Sequence, residues 1–305
     1  MPKIIFILLV LICAVPGVTT PIALAAGIMF SLIIGNPWPK ESTVASQKLL
    51  KISVVGLGFG LSIQEVWSVG RGAIGYTVIG ILLTIGVGLL LGRLLKLQGN
   101  TAILISCGTA ICGGSAIAAM SPVVGAKDDE VAVSLATVFT LNAVALILFP
   151  LLGHVFDLSQ HQFGVWAGLA IHDTSSVVGA ATSYGAEALR IGTTVKLTRA
   201  AWIAPIALLA GLWFHSDQKA KFPLFIVGFI LAAVLHSLLP QLSVLWNFLS
   251  IIARQALVVT LFLIGCGLSR EVLQKIGPRP LFHGVILWIA ASVLTLTGIL
   301  QGFIA

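Results

Sequence analysis

The chain has 305 residues, of which 58% are hydrophobic and only 9% are charged. Soluble domains carry about 25% charged residues, so this composition excludes an ordinary soluble protein and indicates an integral membrane protein. The formal net charge is +7, and it comes from Lys and Arg residues in short loops rather than from a basic tract with interleaved aromatic residues. We therefore expect the lipid bilayer, and no nucleic acid, as a partner.

Hydrophobic segments follow one another along the whole sequence, separated by Pro, Gly or charged residues such as Gly70-Arg71. Segments of this kind favour membrane-spanning helices. The first resembles a signal peptide, but it runs into the second and is interpreted as a retained helix. We predict an all-α integral membrane protein with about 11 transmembrane helices, forming one polytopic transmembrane domain over residues 1–305. The segments are residues 4–16, 21–35, 48–62, 71–92, 101–124, 130–153, 163–182, 188–214, 222–239, 248–268 and 280–303.

Positive charge gathers in alternate loops, which predicts an orientation because cytoplasmic loops carry an excess of Lys and Arg. A cytoplasmic N-terminus places most of these residues on the cytoplasmic side, and the opposite loops then hold Arg71, Lys127 beside three acidic residues, and Arg190 beside Glu187. The sequence therefore predicts a multi-pass protein with its N-terminus inside. The residues on the predicted cytoplasmic side are Lys3, Lys40, Lys48, Arg93, Lys96, Lys219, Lys221, Arg270, Lys275 and Arg279.

Two adjacent glycines interrupt the fifth segment, within the stretch Cys107–Ala119. A glycine inside a helix costs about 1 kcal/mol relative to alanine, and in a bilayer the freed backbone groups need partners within the protein or in a water-filled cavity. We predict a broken helix at Gly113 and Gly114. Its free N–H groups, with the hydroxyls of Thr109 and Ser115, would bind an anion. Alternatively, these small residues let two helices pack closely.

The densest polar run inside an apolar segment is Ile171–Ser176, with the sequence IHDTSS. An aspartate at bilayer depth costs on the order of 2.5–3.5 kcal/mol on insertion scales, so such residues usually line a pathway. We predict that Asp173, with His172 as a titratable neighbour, exchanges protons, and that Ser175 and Ser176 contribute to substrate binding. On a continuous helix Asp173 and Ser176 share a face that His172 does not, which argues against a Ser-His-Asp triad. Alternatively, the run caps a helix at a packing interface.

Two cations, Lys196 and Arg199, lie within the segment 188–214 at a spacing that places them on one helix face. We predict that they face inward as countercharge for an anionic substrate, since the Arg guanidinium offers a fixed fork to an oxyanion. The alternatives are snorkelling towards the nearer surface or an ion pair with Asp173. Asn142, a lone amide in an apolar segment, is interpreted as a helix-packing residue.

The four cysteines all lie in apolar segments and lack zinc-type spacing to a histidine, so we interpret them as small buried thiols and expect no metal or cofactor. The sequence also lacks the GxxxxGK[ST] motif of a nucleotide-driven motor. An enzyme with Cys112 or Ser115 as nucleophile and His172 as base would need a spaced triad that the sequence does not have. We therefore predict no catalytic residues and no enzymatic activity.

Two internal similarities are visible. The string GFGLS at residues 58–62 recurs as GCGLS at residues 265–269, and each copy is followed shortly by Glu-Val. The predicted topology makes these copies run in opposite directions, as in an inverted repeat. A second similarity relates Ile111 and Ser115 to Ile171 and Ser175 at the same spacing. The predicted topology makes that second pair parallel, so the two similarities do not describe one simple repeat.

Three strings carry a resemblance to a known family: CGTAICGGSAIAA (107–119), QHQFGVWAGLAIHDTSSVVGAA (160–181) and TTVKLTRAAWIAP (193–205). They are similar to the signatures of the YeiH-type sulfate exporter family of conserved bacterial inner-membrane proteins, and the similarity extends to GLGFGLSIQEV (56–66). The resemblance implies the cation:proton antiporter and anion transporter superfamily, with inverted repeats, a panel domain beside a core domain, and two discontinuous crossing helices. The first crossing helix would hold Gly113, and the second either Asp173 or residues 265–267. Homodimers are common in that superfamily.

The residues and the resemblance together predict a secondary transporter of a small anion, with sulfate or a similar oxyanion as the leading candidate. The resemblance implies an exporter of the bacterial inner membrane that works by alternating access of the core against the panel. Protons would be coupled through Asp173. The alternative is a sodium/proton-type cation exchanger, in which Asp173 is the cation site and sodium the coupling ion.

Overall fold

The computed structural model describes residues 2–214, 224–267 and 277–304, and in these ranges every regular element is helical. The α-helices of the described residues are α1 (Pro2–Ala14), α2 (Thr20–Ile33), α3 (Pro39–Gly58), α4 (Ile63–Leu94), α5 (Thr101–Ala110), α6 (Gly114–Met120), α7 (Asp128–Val155), α8 (Gln160–Ala170), α9 (Thr174–Tyr184), α10 (Ala186–Ala201), α11 (Ile203–Phe214), α12 (Leu224–Leu238), α13 (Ser243–Gly267) and α14 (Pro278–Leu300). A short 3-10 helix, Pro240–Leu242, precedes α13.

Within the described ranges, five helical stretches are long and apolar enough to cross a membrane. Further apolar helices of 10–17 residues accompany them, among them α1, α5 and α12. Each predicted hydrophobic segment overlaps at least one of the helices, while the number of membrane crossings stays a prediction. One predicted boundary is wrong. Gly70 and Arg71 lie inside the 32-residue helix α4, because a half-buried Gly and an exposed Arg do not interrupt a helix supported by its apolar neighbours.

The chain divides into two compact units, each built from two separate stretches. The first unit comprises Met1–Val69 and Pro223–Glu271, and the second comprises Gly70–Phe222 and Val272–Ala305. Helix α4 begins in the first unit and continues in the second. All the residues predicted to form a site belong to the second unit.

The first unit is held together by helices that approach closely at glycines. A Cβ added to Gly265 on α13 would lie 2.5 Å from the carbonyl oxygen of Leu24 on α2, and a Cβ on Gly58 would lie 2.5 Å from the carbonyl oxygen of Phe229 on α12. Larger residues cannot occupy these positions without moving the backbones apart. These two glycines of the repeated GxGLS string are therefore packing residues here. The end of its second copy, residues 268–272, lies outside the described residues.

In the second unit, α14 packs against α5, α7 and α8, and α10 packs against α8 and α9. A fully buried histidine on α14, His283, contacts the carbonyl oxygen of Gly88 on α4 through its Nε2 at 2.8 Å. Helix α7 contacts both of the short helix pairs, α5/α6 and α8/α9. This packing brings the polar residues of four different segments of the sequence into one region.

Candidate functional site

The first helix break lies between α5 and α6, where the sequence places its glycine pair. Helix α5 ends at Ala110, and the chain turns through Gly113, which has φ +68° and ψ −127°. A residue with a side chain is strained in that conformation, whereas glycine adopts it readily. Helix α6 then begins at Gly114 and lasts only seven residues. The predicted break is present in the structure.

The second break lies between α8 and α9, at Ile171–Asp173. Ile171 and Asp173 have extended backbones, and Asp173 forms the N-cap of α9. Its Oδ2 accepts a hydrogen bond from the backbone N–H of Ser175 at 3.1 Å and another from the Ser175 hydroxyl. The expectation that Asp173 and Ser176 share one helix face is wrong, because the chain leaves the helix before Asp173. The alternative interpretation, a helix cap, describes one role of this carboxylate.

The two breaks lie against each other. A Cβ added to Gly113 would be 3.2 Å from the Cβ of Asp173 and 3.3 Å from its Cα. The side chain of Asn142 on α7 joins the same place, since its Oδ1 accepts a hydrogen bond from the Asp173 backbone N–H at 3.2 Å. Asn142 is therefore part of this region rather than an ordinary packing residue. Of the two candidates for the second broken helix, the Asp173 segment is the one that meets Gly113.

The breaks also share their position along the chain. Helices α5 and α8 end at Ala110 and Ala170, and helices α6 and α9 begin at Gly114 and Thr174. Each pair is separated by 60 positions, the same offset that relates the Ile and Ser residues of the weaker sequence similarity. That similarity thus coincides with two helix pairs that are broken in the same way.

Lys196 and Arg199 are buried and bind the end of α5. The Lys196 side chain is 0% exposed, and its Nζ donates to the carbonyl oxygen of Ile111 at 3.2 Å. The Arg199 side chain is 3% exposed; its Nε donates to the Ala110 carbonyl oxygen, and its Nη2 to that of Thr109 at 3.0 Å. These carbonyls are among those that a helix end leaves without intrahelical partners, and cations are favourable at a helix C-terminus.

This geometry corrects the predicted role of the two cations in part. They face inward as expected and do not snorkel to a surface, but their present partners are the carbonyl oxygens of α5 rather than a group at the start of α6. Within the described ranges neither cation forms a direct ion pair with Asp173. Lys196 is nevertheless near enough for its charge to act on that carboxylate.

Several buried polar atoms around the breaks have no partner among the described residues. They include Nη1 of Arg199, Nδ2 of Asn142, Oγ1 of Thr109 and both ring nitrogens of His172. A buried polar group without a hydrogen bond costs about 1–3 kcal/mol, so native proteins rarely leave several together. The arrangement is typical of a site that water or a ligand completes.

The charges in this region do not balance. Lys196 and Arg199 supply two positive charges, and Asp173 supplies one negative charge, which leaves an excess of one positive charge when all three are ionised. Both cations are fully enclosed, while Asp173 keeps partial exposure. Enclosed charges are costly unless they are paired. When all three groups are ionised, one enclosed positive charge is thus left without a countercharge among them.

Not every predicted residue joins this group. Ser115 is exposed and Gly114 is half-buried on α6, and a Cβ on Gly114 would meet the ring of Phe139 at 2.9 Å. Ser176 is buried at 6% exposure on α9. The residues assembled at the meeting of the breaks are Thr109, Gly113, Asn142, His172, Asp173, Ser175, Lys196 and Arg199.

Apolar helices long enough to span a bilayer, with charged side chains enclosed between them, define a multi-pass helical membrane protein. The chain matches the family described as Conserved hypothetical protein 698 over residues 4–284 and belongs to that family. It is 58% identical over 294 residues to a UPF0324 membrane protein of Geobacter sulfurreducens, covering 96% of this chain and 95% of the relative.

Two further relatives are similar over nearly their whole length. A UPF0324 membrane protein of Bdellovibrio bacteriovorus is 48% identical over 309 residues, covering 99% of this chain and 95% of the relative. One of Vibrio parahaemolyticus is 46% identical over 303 residues, covering 96% of each. No solved structure matches the chain significantly. These names support a membrane protein and assign no activity.

Proposed function

We propose that this membrane protein is a secondary transporter of a small anion, with sulfate or a similar oxyanion as the leading substrate. The observation that carries the proposal is the pair of enclosed cations, Lys196 and Arg199, beside the unpartnered donors Arg199 Nη1 and Asn142 Nδ2. Broken helices within a membrane are characteristic of transporter binding sites. The substrate would bind where the breaks meet, near Gly113 and Asp173.

The chemistry of the donors favours an anion over a cation. Arg199 Nη1 and the amide Nδ2 of Asn142 can only donate hydrogen bonds, so they cannot coordinate sodium. A cation at Asp173 would also face the excess positive charge of Lys196 and Arg199. For these reasons the sodium/proton exchanger is the weaker alternative. It stays a candidate because a carboxylate such as that of Asp173 can bind a cation.

Charge balance supplies a reason for proton coupling. The ionised site carries one excess positive charge, so a divalent oxyanion would leave it with one excess negative charge. Protonation of Asp173 would restore neutrality, and enclosed sites favour neutral assemblies. We therefore propose that one proton accompanies a divalent anion through Asp173, whereas a monovalent anion would bind with Asp173 ionised.

The proposed location, orientation and assembly of the protein rest on its sequence. We propose an inner-membrane protein with a cytoplasmic N-terminus, working as an exporter by alternating access, with inverted repeats and a homodimeric assembly. We propose no enzymatic activity. The thiol of Cys112 is 2% exposed and His172 is 0% exposed, so a nucleophile–base pair here would have to act on a fully enclosed substrate.

Reconstitution into proteoliposomes tests the proposal. Radiolabelled sulfate uptake is measured under an imposed pH gradient, with a panel of competing mono- and divalent anions and with a parallel sodium gradient. We expect uptake of sulfate, or its displacement by another anion, driven by the pH gradient and insensitive to sodium. Sodium/proton exchange without anion movement would establish the alternative. If no anion moves while a known transporter reconstituted alongside is active, the anion proposal fails.

A further inference from the structure

A second group of buried polar side chains leads from the site towards α14. The ring of His172 is 0% exposed, and neither of its nitrogens has a hydrogen-bond partner among the described residues. Its centroid lies 6.1 Å from that of Trp288 on α14. The side chain of Asn142, whose Nδ2 is also unpartnered, lies at the His172–Asp173 peptide. The group therefore begins beside Asp173.

The group continues along one face of α14. Trp288 and Ser292 are four residues apart and so lie on the same side of the helix, one turn from each other. Trp288 Nε1 and Ser292 Oγ are both buried and unpartnered within the described ranges. Trp166 Nε1 donates to the Ser292 carbonyl at 3.0 Å and leaves its hydroxyl free. Trp288 is 7% exposed and Ser292 is half-buried, so the row extends outward from a fully enclosed histidine.

Two aromatic rings, those of Trp166 and Trp288, pack against Phe149. Phe149 on α7 stacks against Trp166 at 4.2 Å and against Trp288 at 5.9 Å between ring centroids. Such packing fixes the positions of these rings. The Trp288 indole N–H, which has no partner among the described residues, therefore belongs to a side chain that its neighbours hold in place.

The free donors and acceptors of His172, Trp288 and Ser292 have no hydrogen-bond partner among the described residues. Other buried indoles of this protein are bonded, as in Trp246, whose Nε1 donates to the Leu239 carbonyl at 2.9 Å. Water is the partner that suits His172, Trp288 and Ser292, because it can accept from an indole N–H and bond a hydroxyl and both imidazole nitrogens. An ion does not suit the row, since these three residues include no charged side chain.

We infer that water occupies this row and forms a passage for protons between Asp173 and the Ser292 side of α14. A neutral imidazole carries one donor and one acceptor nitrogen, so His172 can receive a proton on one nitrogen and release it from the other. Lys196 and Arg199 on α10 lie near enough for their charges to act on His172, and Asp173 follows it in the chain. Helix α7 contributes Asn142 and α14 contributes Trp288. The existence of the passage is independent of the substrate, while its use in coupling rests on the proposed function.

Radiolytic footprinting of the reconstituted protein tests the water directly. Hydroxyl radicals formed from water oxidise the side chains next to it, and mass spectrometry gives a rate for each tryptophan. Trp246 is the matched control, since it is 6% exposed against 7% for Trp288 but has a bonded indole. We expect Trp288 to be oxidised at least several-fold faster than Trp246. Equal, slow rates would overturn the inference, and this result does not depend on any transport.

A second pair of variants tests the use of the passage. Ser292→Val replaces the hydroxyl by an apolar group, and Val293→Ala changes the neighbouring side chain, which is 55% exposed on the outer face of α14. We expect Ser292→Val to slow pH-driven transport and His172 oxidation several-fold with unchanged anion affinity, and Val293→Ala to behave as wild type. Transport at the wild-type rate in Ser292→Val, in protein whose His172 oxidation has fallen, would overturn the proton route. Anion binding without uptake in the wild type would instead count against the proposed function.

Discussion

Gly113 and Asp173 contact each other at the meeting of the two helix breaks. A Cβ on Gly113 would lie 3.2 Å from the Asp173 Cβ, closer than most side chains approach. The glycine is therefore required twice, once for its positive φ of +68° and once for the space that Asp173 occupies. This contact joins two breaks that are 60 residues apart in the chain.

Two glycine substitutions distinguish the requirement for a positive φ at Gly113 from the requirement for space beside Asp173. We expect Gly113→Ala to destabilise the protein by about 1–3 kcal/mol for the backbone strain, with an added cost from the clash with Asp173. Gly125→Ala is the control, since Gly125 has a similar φ of +63° and an added Cβ there would have nothing within 4 Å. Denaturant-induced unfolding in detergent measures both. Equal losses of stability would mean that the contact with Asp173 has no energetic weight.

The Arg199 guanidinium bonds two adjacent carbonyls, and a lysine cannot reproduce its fork. We expect Arg199→Lys to lose about 1–3 kcal/mol of stability, because the Ala110 or the Thr109 carbonyl is left unpaired. The anion affinity should fall as well, since the free Nη1 is removed. Arg71→Lys, an exposed position on α4, should change neither quantity. Thermal shift with and without sulfate measures stability and binding in the same sample.

Asp173 combines a structural role with a proposed titration, and two substitutions distinguish them. Asparagine is as good an N-cap as aspartate, whereas alanine loses about 1 kcal/mol. We expect Asp173→Asn to fold with near wild-type stability but to lose pH-driven transport, and Asp173→Ala to lose stability as well. Transport that still follows the pH gradient in Asp173→Asn would remove this carboxylate from the coupling.

The sequence was sufficient for the helical class and for the first break, because the glycine pair is a local signal. The spacing of Lys196 and Arg199 places both on one helix face, and it is their burial in the structure that decides between an inward orientation and snorkelling. The second break was harder to find, because the residues Ile171–Asp173 contain no glycine or proline, and only an N-capping Asp marks the restart of the helix. The carbonyl partners of Lys196 and Arg199 lie 85 to 90 residues away, so no local pattern records them. The role of Asn142 is not visible in the sequence for the same reason, because its partner Asp173 lies 31 residues away.

Asn142 offers a test of the free donor at the site. Its Oδ1 accepts from the Asp173 backbone N–H, and its Nδ2 has no partner among the described residues. Asn142→Asp keeps an oxygen for the first contact but replaces the donor by a second acceptor with negative charge. We expect this variant to fold and to bind sulfate much more weakly than wild type, as measured by isothermal titration. Sulfate binding at wild-type strength would show that the amide donor does not face the anion.

Ser115 and Ser175 occupy equivalent positions, two residues after Gly113 and Asp173, yet the structure separates them. Ser115 is exposed on α6, while Ser175 is fully buried and gives both its N–H and its hydroxyl to Asp173. We expect Ser175→Ala to alter the pH dependence of transport, because the carboxylate loses a hydrogen-bond donor that stabilises its charged form. Ser115→Ala, the matched control, should retain wild-type transport and sulfate affinity. Pronounced loss of sulfate binding in Ser115→Ala would instead return the anion to the start of α6, where the sequence first placed it.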